Sequence, residues 1–324
     1  MSSYSKYAFS GLAIICAASL WWRASDSRTP TSDHGPRSSA VATSTDVDLP
    51  LSFPKAHSLG VAQQSATNPL YIDMMYADNV RVFVERAKLS PEKGGLYFAA
   101  MALSSCKLFL GSTRGDPLYS KRALADRNPA EAQQAAEQMA RRCDGLTQGD
   151  FEQLADRYKL LREGRAQDPL LIASDRLTRE RLDIESWRSN LEVVLKQGGP
   201  VAIAALNTNA LRPPGVTGQD DVPPYLFGKP YGGFSPEVFR TAMSLAAEPP
   251  RAASNGRPSL EQLLSCSLGG SCDPAADGVE SYLASAQAKK KPVDANQLRQ
   301  AVDLYRRAFA SGSVDAFLPP SRSG

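Results

Sequence analysis

Four cysteines set the tightest limit on how this chain folds, because they sit in or beside stretches with helical periodicity. The run Gly95-Leu96-Tyr97-Phe98-Ala99-Ala100-Met101-Ala102-Leu103-Ser104-Ser105-Cys106-Lys107-Leu108-Phe109 reads as one helix, and Asn128-Pro129-Ala130-Glu131 through Met139-Ala140-Arg141-Arg142-Cys143 as a second. Each is apolar on one face and carries its cysteine near its C-terminal end. A Cys106–Cys143 disulfide could staple the two. Cys266 and Cys272 follow downstream with five residues between them. A bridge there would lock the turn Ser267–Ser271. Four cysteines allow three connectivities, and spacing alone does not choose among them. A zinc site built from all four is the competing reading, but the short two-cysteine knuckles that such sites use are missing.

The absent residues remove several kinds of chemistry. The 324-residue chain has two histidines, His34 and His57, and both precede the helical region. A Ser/His/Asp or Cys/His pair, or a histidine-containing zinc site, cannot be built within that region. There is no phosphate-cradling glycine loop and no Cys-x-x-Cys pair. The net charge of +3 mixes basic with acidic residues and gives no reason to expect nucleic acid. The short run Lys289-Lys290-Lys291 reads as a solvated loop. Acids cluster at Asp220-Asp221 and at Glu180, Asp183 and Glu185. Such surface acids are read as solvated, so no catalytic residue, cofactor or metal is assigned.

The chain divides into four parts. Residues 1–23 read as a membrane anchor or signal segment: Tyr7 to Trp22 carries no charge and ends in Trp21-Trp22-Arg23. The apolar run is short for a span of about 20 residues. An uncleaved anchor is the first reading, a cleaved signal the second, and a lipoprotein box around Cys16 the third. Residues 24–68 are rich in Ser, Thr, Pro and Ala, lack apolar periodicity and are expected to be a disordered linker. Residues 69–311 are expected to form a disulfide-bearing helical domain, and 312–324 a flexible tail. Cysteines beyond an apolar N-terminal segment favour an oxidising outer compartment.

Within the domain, Tyr71, Met74, Met75, Val80, Phe83 and Val84 recur at three- and four-residue spacing. Ser90-Pro91-Glu92 reads as a capped helix start and residues 91–110 as the first cysteine helix. Gly145 is a candidate left-handed cap after Cys143. Trp187, in the helical run from Asp183 to Lys196, reads as core rather than a ligand platform. Pro200 to Leu211 is alanine-rich and reads as helix. Ser235-Pro236-Glu237 opens another helix, and Ser259-Leu260-Glu261-Gln262 is a capping box. Two last helices are expected over Val279–Ala286 and Leu298–Phe309, the second with Leu298, Val302, Tyr305 and Phe309 on one face.

The run Arg141-Arg142-Cys143-Asp144-Gly145-Leu146, the helix opening at Asp168-Pro169, and Leu263-Leu264-Ser265-Cys266-Ser267-Leu268-Gly269-Gly270-Ser271-Cys272 together resemble uncharacterised proteobacterial envelope proteins, helical and with paired cysteines. There is also a faint similarity to the helix pairs of Sel1-like and tetratricopeptide proteins, without a clean repeat. The resemblance implies a helical fold and an envelope compartment, and carries no active site.

The expected fold is all-α, a helical bundle or irregular helix-pair array of about 8–11 helices. One long irregular segment interrupts it, residues 212–233. Asp220, Asp221, Tyr225, Phe227 and Tyr231 within it are the candidate binding residues. The competing reading is a proline-stiffened crossover. The function expected is that of a non-catalytic binding or accessory domain, held in the inner membrane through residues 7–22 and facing the periplasm. Its partner would be a protein or another envelope component. The alternatives are an envelope hydrolase acting on cell-wall glycan through carboxylates, and a structural spacer.

Overall fold

Short polar side chains just ahead of the first turn set most of the helix starts. Asn68 Oδ1 accepts from Leu70 N at 2.8 Å and opens α1 (Pro69–Met75). Asn79 caps α2 (Val80–Ala87) through Val82 N at 3.1 Å. The same device opens α5 (Pro169–Arg179) with Asp168, α6 (Ile184–Val193) with Asp183, and α8 (Pro236–Ala246) with Ser235. It opens α11 (Ala295–Ser311) with Asp294. At α9 (Leu260–Ser267) Ser259 and Gln262 form the reciprocal capping box that the sequence suggests. The remaining helices are α3 (Gly95–Gly115), α4 (Pro129–Arg142), α7 (Gly199–Ala205) and α10 (Gly278–Ala288), with a further helix opening at residues 148–152.

This computed structural model describes residues 68–115, 129–152, 161, 163, 166–206, 210–211, 213–214, 225–230, 234–248, 257–268, 272, 278–288 and 290–318. The expected anchor, and all of the linker but Asn68, lie outside them. No described helix is long and apolar enough to cross a membrane. The fold is all-α apart from a two-stranded hairpin, β1 (Tyr225–Leu226) and β2 (Lys229–Pro230).

The helices pack in neighbouring pairs: α2 on α3, α4 on α9, α5 on α6, and α8 on α11. Their buried side chains merge into one cluster from Tyr71 to Phe317. Trp187 belongs to it, 3% exposed, with its indole N–H donating to Ala210 O at 2.8 Å. The expected apolar face of α11 is buried at Leu298, Val302, Tyr305 and Phe309. Cys106 pairs with Cys143 at a Cα–Cα distance of 5.6 Å, and Cys266 with Cys272 at 4.6 Å. This chooses one of the three connectivities and removes the four-cysteine zinc reading.

Asp168 does more than cap its own helix. Its Oδ1 accepts from Leu171 N at 2.9 Å, while Oδ2 accepts from Leu96 N at 2.8 Å and Tyr97 N at 3.0 Å. One fully buried carboxylate thus satisfies orphan donors at the starts of both α5 and α3. Burial pushes its pKa up, and the backbone N–H donors around it pull against that.

Three boundaries differ from expectation. Residues 91–110 are not one helix. A 3-10 turn (Pro91–Lys93) ends in left-handed Gly94, φ 82°, and α3 begins at Gly95. A Cβ at Gly95 would lie 1.9 Å from Ala87 O, so the break is where two backbones meet. The helix expected over Pro200–Leu211 stops at Ala205, because Leu206 turns extended. The flexible tail expected from residue 312 is ordered through its first part. Gly312 (φ 62°) caps α11 in the left-handed region, and a 3-10 turn (Val314–Phe317) buries Val314, Ala316 and Phe317. Phe317 lies 6.0 Å from Phe309, ring centre to ring centre. The signal, Val314 and Phe317 three residues apart, is too short to stand out from loop sequence.

Candidate functional site

The irregular segment between α7 and α8 yields one ordered feature, the hairpin Tyr225–Pro230. Tyr225 pairs with Pro230 and Leu226 with Lys229, so Phe227 and Gly228 form a two-residue turn. Both have positive φ, 53° and 71°. That is the turn whose twist matches the strands, and it normally selects Asn-Gly or Gly-Gly. Glycine takes the conformation freely, whereas for Phe227 it costs about 1–2 kcal/mol.

Phe227 is held in this conformation from below. Its backbone N–H donates to Ala316 O at 2.7 Å in the C-terminal 3-10 turn. Leu226, beside it, is fully buried. The Phe227 side chain nevertheless remains 44% exposed. The same 3-10 turn is tied to α6 by Arg188, which pairs with Asp315 at 2.5 Å. Ile184 lies one helical turn before Arg188 on the same face and is 46% exposed. The hairpin tip, the 3-10 turn and the start of α6 thus form one surface. It carries an aromatic, an aliphatic, the exposed Lys229 and a surface ion pair. What the described side chains of this surface offer is contact: an aromatic ring, an aliphatic side chain and charged groups at its edge.

Of the expected binding residues, Tyr225 and Phe227 lie in this hairpin, Tyr225 half-buried. Asp220, Asp221 and Tyr231 lie outside the described residues. Asp315 went unsuspected: its neighbour Ala316 accepts from Phe227 N, and its own carboxylate pairs with Arg188 of α6, the helix that carries Ile184.

For the carboxylate alternative, a cavity of about 190 Å³ among the described residues lies between α8, α10 and α11, with Glu237 and Asp294 in its lining. Asp294 accepts from Asn296 N at 2.9 Å and Gln297 N at 3.0 Å, which starts α11. Glu237 is paired with Lys291 at 2.8 Å. Both acids are engaged by structural partners. Asp183 is engaged likewise, accepting from Ser186 N at 2.7 Å and Oγ at 2.8 Å, which holds its pKa below the ordinary carboxylate value. Among the described residues, no three His, Cys, Asp or Glu side chains are grouped to hold a metal ion.

Comparison with known proteins places no relative beside this arrangement: no family model, curated protein or solved structure matches the chain.

Proposed function

We propose that this chain is a membrane-tethered periplasmic binding domain, and that the hairpin tip around Phe227 is its recognition surface for a protein partner. One observation carries the reading: an exposed aromatic is kept in a strained left-handed conformation on a rigid support. Backbone strain of this kind is retained where the surrounding structure imposes it, and it concentrates at functional sites. A pre-positioned aromatic contributes contact area with little ordering entropy on binding. The apolar segment 7–22, the linker and the two cysteine pairs support the tether and the oxidising compartment.

Phe227→Gly separates the recognition role from folding. It relieves the backbone strain, so stability is expected to stay level or rise by roughly 1 kcal/mol. A photo-reactive residue at position 229, in full-length protein in its native membrane, should give a discrete protein adduct. That adduct should disappear in the Phe227→Gly background. An adduct that survives the substitution, or none in either background, sinks the recognition surface and favours the spacer. Thiol blocking at lysis tests the compartment: four alkylated cysteines would remove the periplasm from the proposal.

A further inference from the structure

A second concavity, remote in sequence from the hairpin, lies where the end of α4 meets the start of α9. Asp78, Gln138, Arg141, Arg142, Arg257 and Pro258 line its volume of about 350 Å³. Three guanidinium groups face one carboxylate there, an excess of two positive charges.

The arginines are not equivalent. Gln138, Arg141 and Arg142 share one face of the last turn of α4, three and four residues apart. Arg142 is 7% exposed. Its Nη1 donates to Met75 O at 3.2 Å and its Nη2 to Pro258 O at 3.0 Å. These two carbonyls fix the plane of the group, and Arg142 has no ion pair among the described residues. Arg257 acts on it as a like charge; burial first, and then Arg257, lower the Arg142 pKa, against the pull of the nearby Asp78 carboxylate. Among the described residues Arg257 is paired with Asp78, whose side chain is 87% exposed, and donates to Tyr76 O at 3.5 Å. Arg141 and Gln138 have neither hydrogen bond nor ion pair among the described residues.

A basic residue in the last turn complements the negative end of a helix, and that accounts for Arg141. It does not account for burying Arg142 beside a second guanidinium, with neutral carbonyls as its hydrogen-bond partners among the described residues and one exposed carboxylate, Asp78, shared between the two. A buried charge so placed is costly unless an opposite charge completes it. Guanidinium forks and an amide converging from two elements suit an acceptor that can be approached from several directions. A tetrahedral oxyanion meets that requirement, whereas a planar carboxylate accepts in one plane. The concavity is open to solvent, so a group attached to the oxyanion can extend out of it. Cys143, next to Arg142 and bridged to Cys106, fixes the end of the helix that presents the site.

We infer that this concavity binds a phosphate ester, with Arg141, Arg142 and Arg257 holding the oxyanion and Asp78 acting as the displaceable counter-charge. The ester has two sources, a lipid headgroup or a soluble phosphorylated molecule, and one experiment separates them. Full-length protein in non-ionic detergent is titrated calorimetrically with glycerol 3-phosphate in one arm. The other arm uses mixed micelles containing phosphatidylglycerol, and acetate serves as the planar control. Saturable binding is expected in at least one phosphate arm, and the arm that binds identifies the source. Arg141→Gln should weaken it roughly tenfold while lowering the unfolding temperature only slightly, by what the lost charge at the helix end contributes. Asp78→Asn should tighten it by removing the competing carboxylate, a sign that a merely structural role does not produce. Absence of saturation in both arms, equal affinity for acetate, or an Arg141→Gln protein that binds like the parent would overturn the assignment.

Discussion

The α4–α9 pair and the α8–α11 pair both bury an apolar face, but with different materials. α4 contributes Ala132, Ala135, Met139 and Cys143, little apolar area for a helix of 14 residues. Both disulfides are found here: Cys143 ties α4 to α3, and Cys266–Cys272 closes the end of α9. The α8–α11 pair has no cysteine. Rings run through it instead, Phe234 to Phe239 at 5.4 Å, then Phe239 to Tyr305, Tyr305 to Phe309 and Phe309 to Phe317, each at 6.0 Å. A covalent link stands at the end of the alanine-lined α4, and aromatic burial fills the α8–α11 pair. The lean pair leaves a concavity lined by arginines at its end, and the ring-filled pair one lined by Glu237 and Asp294; the ring-filled pair also supports the 3-10 turn beneath the hairpin.

The sharpest test of this contrast is Tyr305→Ala. Removing the central ring should cost about 3–5 kcal/mol in a denaturant titration, with or without reductant. A loss below about 1 kcal/mol would mean that the rings are not what holds the second pair. Next in size is the longer bridge. Replacing Cys106 and Cys143 with serine opens a loop with a sequence separation of 37 and should cost about 3–4 kcal/mol. Replacing Cys266 and Cys272, with a separation of 6, should cost about 2 kcal/mol. Hydrogen exchange should then speed up in α4 and α9 and stay slow in α8 and α11. Uniform acceleration would break the distinction between the two pairs.

The smallest effect is one of pH. Asp150 accepts from Thr147 N and Thr147 Oγ1, both at 2.7 Å, just after the bridged end of α4. These bonds hold its pKa below the ordinary carboxylate value. A carboxylate lowered on folding contributes stability that is present above its unfolded pKa, near 4, and is lost as pH falls through the folded value. The expected loss on acidification is at most about 1 kcal/mol, the scale of a helix cap. Asp150→Asn should remove this part of the acid dependence. An unchanged pH profile in that variant would show that the cap contributes nothing.

How much could be read in advance depends on how far apart the partners stand. Ser235, Ser259 with Gln262, and Asp168 announce helix starts within three residues, and the structure has a helix start at each. The face of α11 and the burial of Trp187 follow from spacing alone. The hairpin was hidden because its turn uses phenylalanine where turn chemistry selects Asn or Gly. The arginine concavity was hidden because Arg141-Arg142 at a helix end looks like ordinary complementation of the helix dipole. Its other wall is supplied from 116 residues away, at Pro258.

The sequence by itself determined the helical class, most helix starts and the faces that become core, because caps and periodicity act over four residues or fewer. Tertiary structure decided which cysteines pair and that one aspartate serves two helices 72 residues apart. It also decided that like-charged arginines share a concavity and that a strained phenylalanine stands exposed. Each of these depends on surfaces that become neighbours only when the whole core closes, and no local pattern encodes such a distance.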